Sequence, residues 1–295
     1  MNRQQLVTET SDLIGFLPVD HDVLFDGGRF SVLDDYASSL QYIEACKNRD
    51  GYLYFIEKRG RTSQDVPQTE RPAPLFRLPP SHHLVLAQRP EGNALRNRDG
   101  AFLMHLAGYL YGYRLQFHDW WFDGRVRMTS SHPLAFRYQA ESLFLNRAFE
   151  KWRTWFPSTQ KRFTNALYML SRAEMYEWDW ERFTIYYMVL DALYRTAQEV
   201  HNVPKTSHKK RLPTLCDRYG LYKNDVHIEK IVGLRNELFH ESLWSGQQPC
   251  TAIREASYRQ IDNLKRINQR LIPALVEFDT PYIASPWNSL ALPLF

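Results

Sequence analysis

From about Trp152 to Leu271 the apolar residues of this chain recur at intervals of three and four, with almost no glycine between them, and that spacing predicts amphipathic helices. Over residues 160–177 Phe163, Ala166, Leu167 and Leu170 form one stripe, and over 178–200 Phe183, Tyr186, Tyr187, Leu190, Leu193, Tyr194 and Ala197 form another. A polar, basic connection at 201–210 leads to a shorter helix. It carries Leu212, Leu215, Cys216 and Tyr219 on one side and stops at Gly220, a residue type suited to the left-handed turn after a helix. A fourth helix is expected over about 226–243, and a fifth over about 251–271 with Ile253, Ala256, Ile261, Leu264, Ile267 and Leu271 on one face. Helices joined by such short links predict a bundle.

The first half is patterned differently. Tyr52, Tyr54 and Ile56 alternate with other residues as in a strand, and 83–87 is a short apolar run after Pro79-Pro80. Residues 61–80 hold five prolines, which keep the residues before them out of the helical region and predict a long surface loop. Residues 101–113 are apolar at most positions and fit a buried helix, whereas Asp123-Gly124 between Trp120-Trp121-Phe122 and Arg125-Val126-Arg127-Met128 predicts a hairpin. The fold class expected is α+β: a mixed α+β domain over 1–150, an all-α bundle over 151–275, and a tail over 276–295 that packs along the surface. No internal repeat is visible.

Composition adds limits. A chain of 295 residues suggests two domains, and its 8 Trp, 17 Tyr and 17 Phe describe a folded protein. The net charge of +4 is too small for the whole surface to attract nucleic acid, so any RNA contact has to come from a local patch. The strongest basic run is Lys205, His208, Lys209, Lys210 and Arg211, either a guide for an RNA backbone or a solvated loop. Cys46, Cys216 and Cys250 are far apart and lack paired ligand spacing, which argues against disulfides and zinc. His82, His83, His105 and His118 have no acidic or cysteine partners at useful spacing, so no metal site is expected. Trp120 and Trp121 either fill a core or stack on bases. A polar start, and the lack of any apolar run of about 18 residues, point to a cytoplasmic chain without membrane contact. There is no glycine-rich nucleotide loop, so ATP use is not expected.

The fourth bundle helix carries the candidate chemistry. On a wheel of about 100° per residue, Ile228, Ile231, Val232, Leu238 and Phe239 form the apolar stripe, and Arg235 falls near its centre. A permanent cation there costs several kcal/mol unless a carboxylate or phosphate meets it. His240 lies roughly 140° round from Arg235, so an α-helix does not bring the two together. Gly233, Asn236 and His240 do share a face. A mid-helix glycine, which costs about 1 kcal/mol relative to alanine, suggests the close approach of a second copy of the helix. The plainer alternative is that Arg235 pairs with Glu237 or Asp191 and His240 caps a helix end, where a cation is favoured.

Arg235-Asn236, then three more residues and His240, on the penultimate long helix of a bundle, resembles the HEPN superfamily. The segments 186–195 and 233–240 are similar to its Apea-like group, over about residues 152–273. Arg and His recur at such spacing elsewhere, as in Arg77 with His82, Arg98 with His105, Arg127 with His132 and Arg195 with His201. The asparagine, the upstream glycine and the bundle order occur together only at Arg235–His240. The resemblance implies a metal-independent endoribonuclease without cofactor that acts as a homodimer through the bundle. The 2′-hydroxyl would attack, leaving a 2′,3′-cyclic phosphate. It also implies service as a toxin or antiviral defence effector, with an antitoxin or defence-system partner. His240 is then the expected general acid or base, Arg235 the clamp on the phosphate, Asn236 a positioning group, and Asp191 and Glu237 supports. The alternative is a non-catalytic RNA-binding or protein-interaction module.

Overall fold

Residues 9–53, 75–87, 95–128, 140–250 and 255–288 are described by a computed structural model. The chain is α+β and divides into two compact units, Met1–Pro133 with Glu141–Asn146, and Leu134–Ala140 with Arg147–Phe295.

In the first unit, alternating apolar and polar residues build short strands. In chain order its elements are β1 (Glu9–Ile14), β2 (Val23–Phe25), β3 (Gly28–Val32), α1 (Tyr36–Cys46), β4 (Tyr52–Leu53), β5 (Leu75–Phe76), β6 (His82–Ala87), α2 (Asp99–Tyr111), β7 (Phe122–Asp123) and β8 (Val126–Arg127). The main sheet has the order β1-β6-β3-β2 and is antiparallel throughout, with Ile14 opposite His82, Phe30 opposite Leu84 and Val23 opposite Phe30. Asp26-Gly27 turns the chain between β2 and β3, and Gly27 takes the positive φ of 85° that a tight turn needs. Next to it, a Cβ on Gly28 would stand 2.5 Å from the Val85 carbonyl, so only glycine fits against the neighbouring strand.

The expected buried helix is α2, inaccessible from Gly100 to Leu110 because it is apolar on every side, and it ends at Gly112 in the left-handed conformation. The expected hairpin does not form. The chain turns at Gly124, but β7 pairs with β5 and β8 with β4. Those pairings deliver Leu53, Phe76, Phe122 and Val126 to one core with Phe16, Ile43 and Leu78, which a two-strand ribbon would leave half in water. Tyr54, Ile56 and most of the expected proline-rich loop lie outside the described residues. Trp120 and Trp121 are exposed rather than core, with the Arg77 guanidinium 4.3 Å from the Trp121 ring.

The second unit is helical: α3 (Ala140–Thr154), shared with the first unit, then α4 (Pro157–Arg172), a 3-10 turn (Ala173–Met175), α5 (Asp179–His201), α6 (His208–Tyr219), α7 (Asp225–Asn236), a π-helical turn (Glu237–Glu241) and α8 (Glu255–Leu275). The long α5 is central and packs on α4 and α8. All seven apolar positions expected on its stripe are buried. Asn268 of α8, fully buried, donates to the Tyr186 carbonyl at 2.8 Å, and Lys265 pairs with Glu174 at 2.7 Å. The segment after Pro273, expected to pack along the surface, is anchored by one large ring. α8 continues through Pro273 to Leu275, Trp287 is fully buried, and its indole N–H donates to the Tyr222 carbonyl at 2.6 Å. Burying that large ring outweighs the preference of a proline-rich end for solvent. Among the described residues no helix is long and apolar enough to cross a membrane.

Candidate functional site

The face of α5 that carries Phe183, Tyr187, Asp191 and Tyr194, spaced i, i+4, i+8 and i+11, supports everything that follows. Two further segments lie against it. The first is the start of α6. The Tyr194 hydroxyl donates to the Pro204 carbonyl at 2.7 Å and accepts from the Thr206 N–H at 2.8 Å, which fixes the approach to the helix. Arg211, one turn into α6, pairs with Asp191 and lies over the Tyr194 ring at 5.2 Å, while the His208 ring stacks on Tyr187 with centroids 6.4 Å apart.

The second segment is the end of α7. After Asn236 the helix widens into a π turn, in which hydrogen bonds run to the fifth residue. The widening is fixed from beyond. Trp244 is fully buried and packs on Phe183 at 5.1 Å; Glu237 accepts from the Gly246 N–H at 3.2 Å; Ser242 closes the turn with a φ of 55°. Because one turn now holds an extra residue, Arg235 and His240 face each other. Arg235 Nη1 lies 2.7 Å from His240 Nε2 and donates to Asn236 Oδ1 at 3.2 Å. The expectation that one chain holds the two on different faces is therefore corrected: it assumed about 100° per residue throughout, and the π turn breaks that period.

The apolar stripe drawn from the same period is corrected with it. Ile228, Ile231 and Val232 are buried, joined by Leu234, but Leu238 is half-buried and Phe239 is 45% exposed. Arg235 is half-buried at the edge of the core, its guanidinium 5.9 Å from the Tyr187 ring and 5.4 Å from the Phe239 ring. Its Nε is buried without a hydrogen-bond partner. Among the described residues neither Asp191 nor Glu237 pairs with it, because Arg211 takes the first and Gly246 the second. An arginine stacked on two rings and left without a carboxylate is prepared for an anion. Beyond the backbone of its own helix, a Cβ placed on Gly233 would meet nothing within 4 Å, so packing among the described residues does not account for the glycine.

The electrostatics tie the two segments together. Burial pushes the His208 pKa down, and the cations Arg211 and Arg235 push the same way, Asp191 opposes them, and His240 adds a smaller push downward. Burial raises the Tyr187 hydroxyl to about 12; Asp191 adds to that and Arg235 and Arg211 resist it. At the His240 contact a guanidinium can only donate, so Nε2 accepts and the ring carries its proton on Nδ1.

Compared with protein-family models, curated proteins and solved structures, the chain matches none. What the site does has to come from its side chains. Arg235, Asn236 and His240 stand together, and His208 and Arg211 join them across Tyr187. Lys205, Lys209 and Lys210 are exposed on and before the first turn of α6. Tyr187 was not singled out in the sequence beyond its place in a stripe, yet it is the platform that Arg235, His208 and Phe239 share. Its i, i+4 relation to Asp191 on one helix face was the available signal. Two guanidinium groups, one carboxylate already paired and two imidazoles make a donor set that suits a phosphate far better than a cation.

Proposed function

We propose that this protein cleaves RNA by metal-independent transesterification, in the manner implied by its resemblance to the HEPN superfamily. The observation that carries the reading is the half-buried Arg235, without a carboxylate among the described residues, held against His240 and Asn236. A phosphodiester entering here meets the planar fork of Arg235, which can bind two of its oxygens and strengthens as charge builds on the phosphorane. In binding, it draws Arg235 from His240, whose Nε2 becomes available for proton transfer. The substrate supplies its own nucleophile in the 2′-hydroxyl. The open side of Gly233 suits a homodimer seam, in which a second chain brings a second Arg–His pair rather than the missing half of the first. Service as a toxin or antiviral effector is part of the same proposal.

The competing reading, RNA binding without cleavage, is favoured by the Arg235–His240 contact itself, since it occupies both groups with each other. Incubation of mixed-sequence RNA with the protein in EDTA separates the two. Cleavage to 2′,3′-cyclic phosphate and 5′-hydroxyl ends is expected, reduced at least 100-fold by Arg235→Ala or His240→Ala, roughly the effect of one lost oxyanion donor or proton-transfer group. RNA that is retarded on a gel yet stays intact rules out the catalytic reading.

A further inference from the structure

We infer that His208 is a second proton-transfer group of this site, taking the proton from the attacking 2′-hydroxyl while His240 supplies one to the departing 5′-oxygen. The inference rests on the cleavage reading above and deepens it. Transesterification at a phosphodiester moves two protons. The O2′–P bond forms as the 2′-hydroxyl loses its proton to a base, and the P–O5′ bond breaks as the leaving oxygen gains one from an acid. No other reactant is consumed. A lone histidine has to perform both transfers in turn, whereas two on opposite sides of the phosphate divide them.

The geometry supplies a second imidazole. His208 is half-buried, stacked 6.4 Å above Tyr187, the ring that also carries the Arg235 guanidinium at 5.9 Å. Its Nδ1 is buried with no hydrogen-bond partner. It stands at the first position of α6, where no side chain caps the helix and the local dipole favours an anion. The charged and titratable groups that act most strongly on it are Arg211, Arg235, Asp191 and His240, from α5, α6 and the end of α7. With two cations close by and the single carboxylate of that set held by Arg211, the His208 ring is kept neutral and its lone pair stays ready for a base. His240 is exposed at the rim. Once a phosphate has taken Arg235, the negative charge beside Nε2 favours its protonation there, which suits the acid.

The two roles separate by leaving group. A 4-nitrophenolate departs without a proton, so uridine and adenosine 3′-(4-nitrophenyl phosphate) need the base and not the acid. The protein and its His208→Phe, His208→Ala and His240→Ala variants are to be assayed on these esters and on a mixed-sequence RNA. His208→Phe keeps a ring on Tyr187 and loses both nitrogens; matching thermal midpoints report that the fold is kept. It is expected to lose about 10²- to 10⁴-fold in kcat on all substrates, with added imidazole restoring part of the loss in His208→Ala. His240→Ala is expected to lose as much on RNA but less than about tenfold on the esters. His208→Phe cutting within threefold of wild type overturns the inference, as does rescue of His208→Phe rather than His240→Ala by the esters. A wild type that cleaves neither substrate sinks the cleavage reading itself.

Discussion

Each unit contains an arginine laid over an aromatic ring, and the two differ in what completes them. In the first unit Arg96 lies 5.3 Å from the Phe117 ring and is closed by two carboxylates, Asp12 and Asp119, the latter at 2.6 Å. Those hydrogen bonds raise the Arg96 pKa and lower that of Asp119. In the second unit Arg235 has two rings, an amide and an imidazole around it and, among the described residues, no carboxylate paired with it. The same residue type is thus a finished tie in one place and, in the reading proposed here, the anion-binding group in the other. Ring stacking does not distinguish them; the count of neighbouring negative charges does.

The comparison breaks first under substitution. Arg235→Ala is expected to cut RNA cleavage by 10²–10³-fold, about 3–4 kcal/mol of transition-state binding, with an unfolding free energy within about 1 kcal/mol of wild type. Arg96→Ala should do the reverse. Cleavage stays unchanged, and denaturant titration shows a loss of about 1–2 kcal/mol, kept small by the partial exposure of that cluster. Equal losses of activity in both variants would erase the distinction.

Acid sharpens it next, through histidines that resemble those of the site only in type. His82 is fully buried beside Ser81 Oγ at 2.9 Å, and burial lowers its pKa to about 4; burial and Arg114 lower His105 to about 4. The unfolded chain binds these protons near pH 6.5 and the folded unit only near 4. Stability is therefore full above pH 6.5 and declines continuously down to about 4, by of order 3 kcal/mol for each group. In the helical unit Glu199 is held to about 2, mainly by the hydrogen bond from Arg162 at 2.6 Å. That contribution is complete above pH 4.5 and is lost only from there toward 2. His201 and His208 are also lowered but only partly buried. Hydrogen exchange at pH 5 is expected to quicken in β6 and α2 before α4 and α5. The opposite order would mean that the buried histidines do not govern the first unit.

The smallest effect expected is the binding of inorganic phosphate. At several times its dissociation constant it should stabilise the wild type by about 1 kcal/mol in low salt, Arg96→Ala equally, and Arg235→Ala not at all. A shift that survives Arg235→Ala would place the anion elsewhere.

How far the sequence could anticipate this follows from which forces are local. The α5 stripe from Phe183 to Ala197 was readable because a helix repeats its period and every apolar position obeys it. So was the stop at Gly220, with its φ of 65°. The pairings β4 with β8 and β5 with β7 were not, since they join segments far apart in the chain and are decided by the core they fill. The same holds at the site. Arg235, Asn236 and His240 stood out as residue types, but their meeting depends on Trp244 reaching Phe183 on another helix, which no local period encodes. His208 was visible only as part of a basic run, because the Tyr187 ring beneath it is a whole helix away.

The π turn at Glu237–Glu241 makes the site sensitive to counting as well as to chemistry. Removing Leu238 would leave arginine and histidine four apart, and an ordinary α-helix sets such residues only about 40° from each other. Inserting one alanine after Leu238 would separate them by six, about 120° the short way round an α-helix and so on different faces, with every functional side chain still present. Insertions and deletions are usually ranked by size alone. Here one residue fewer is expected to leave the pair in reach, and one residue more to take it apart.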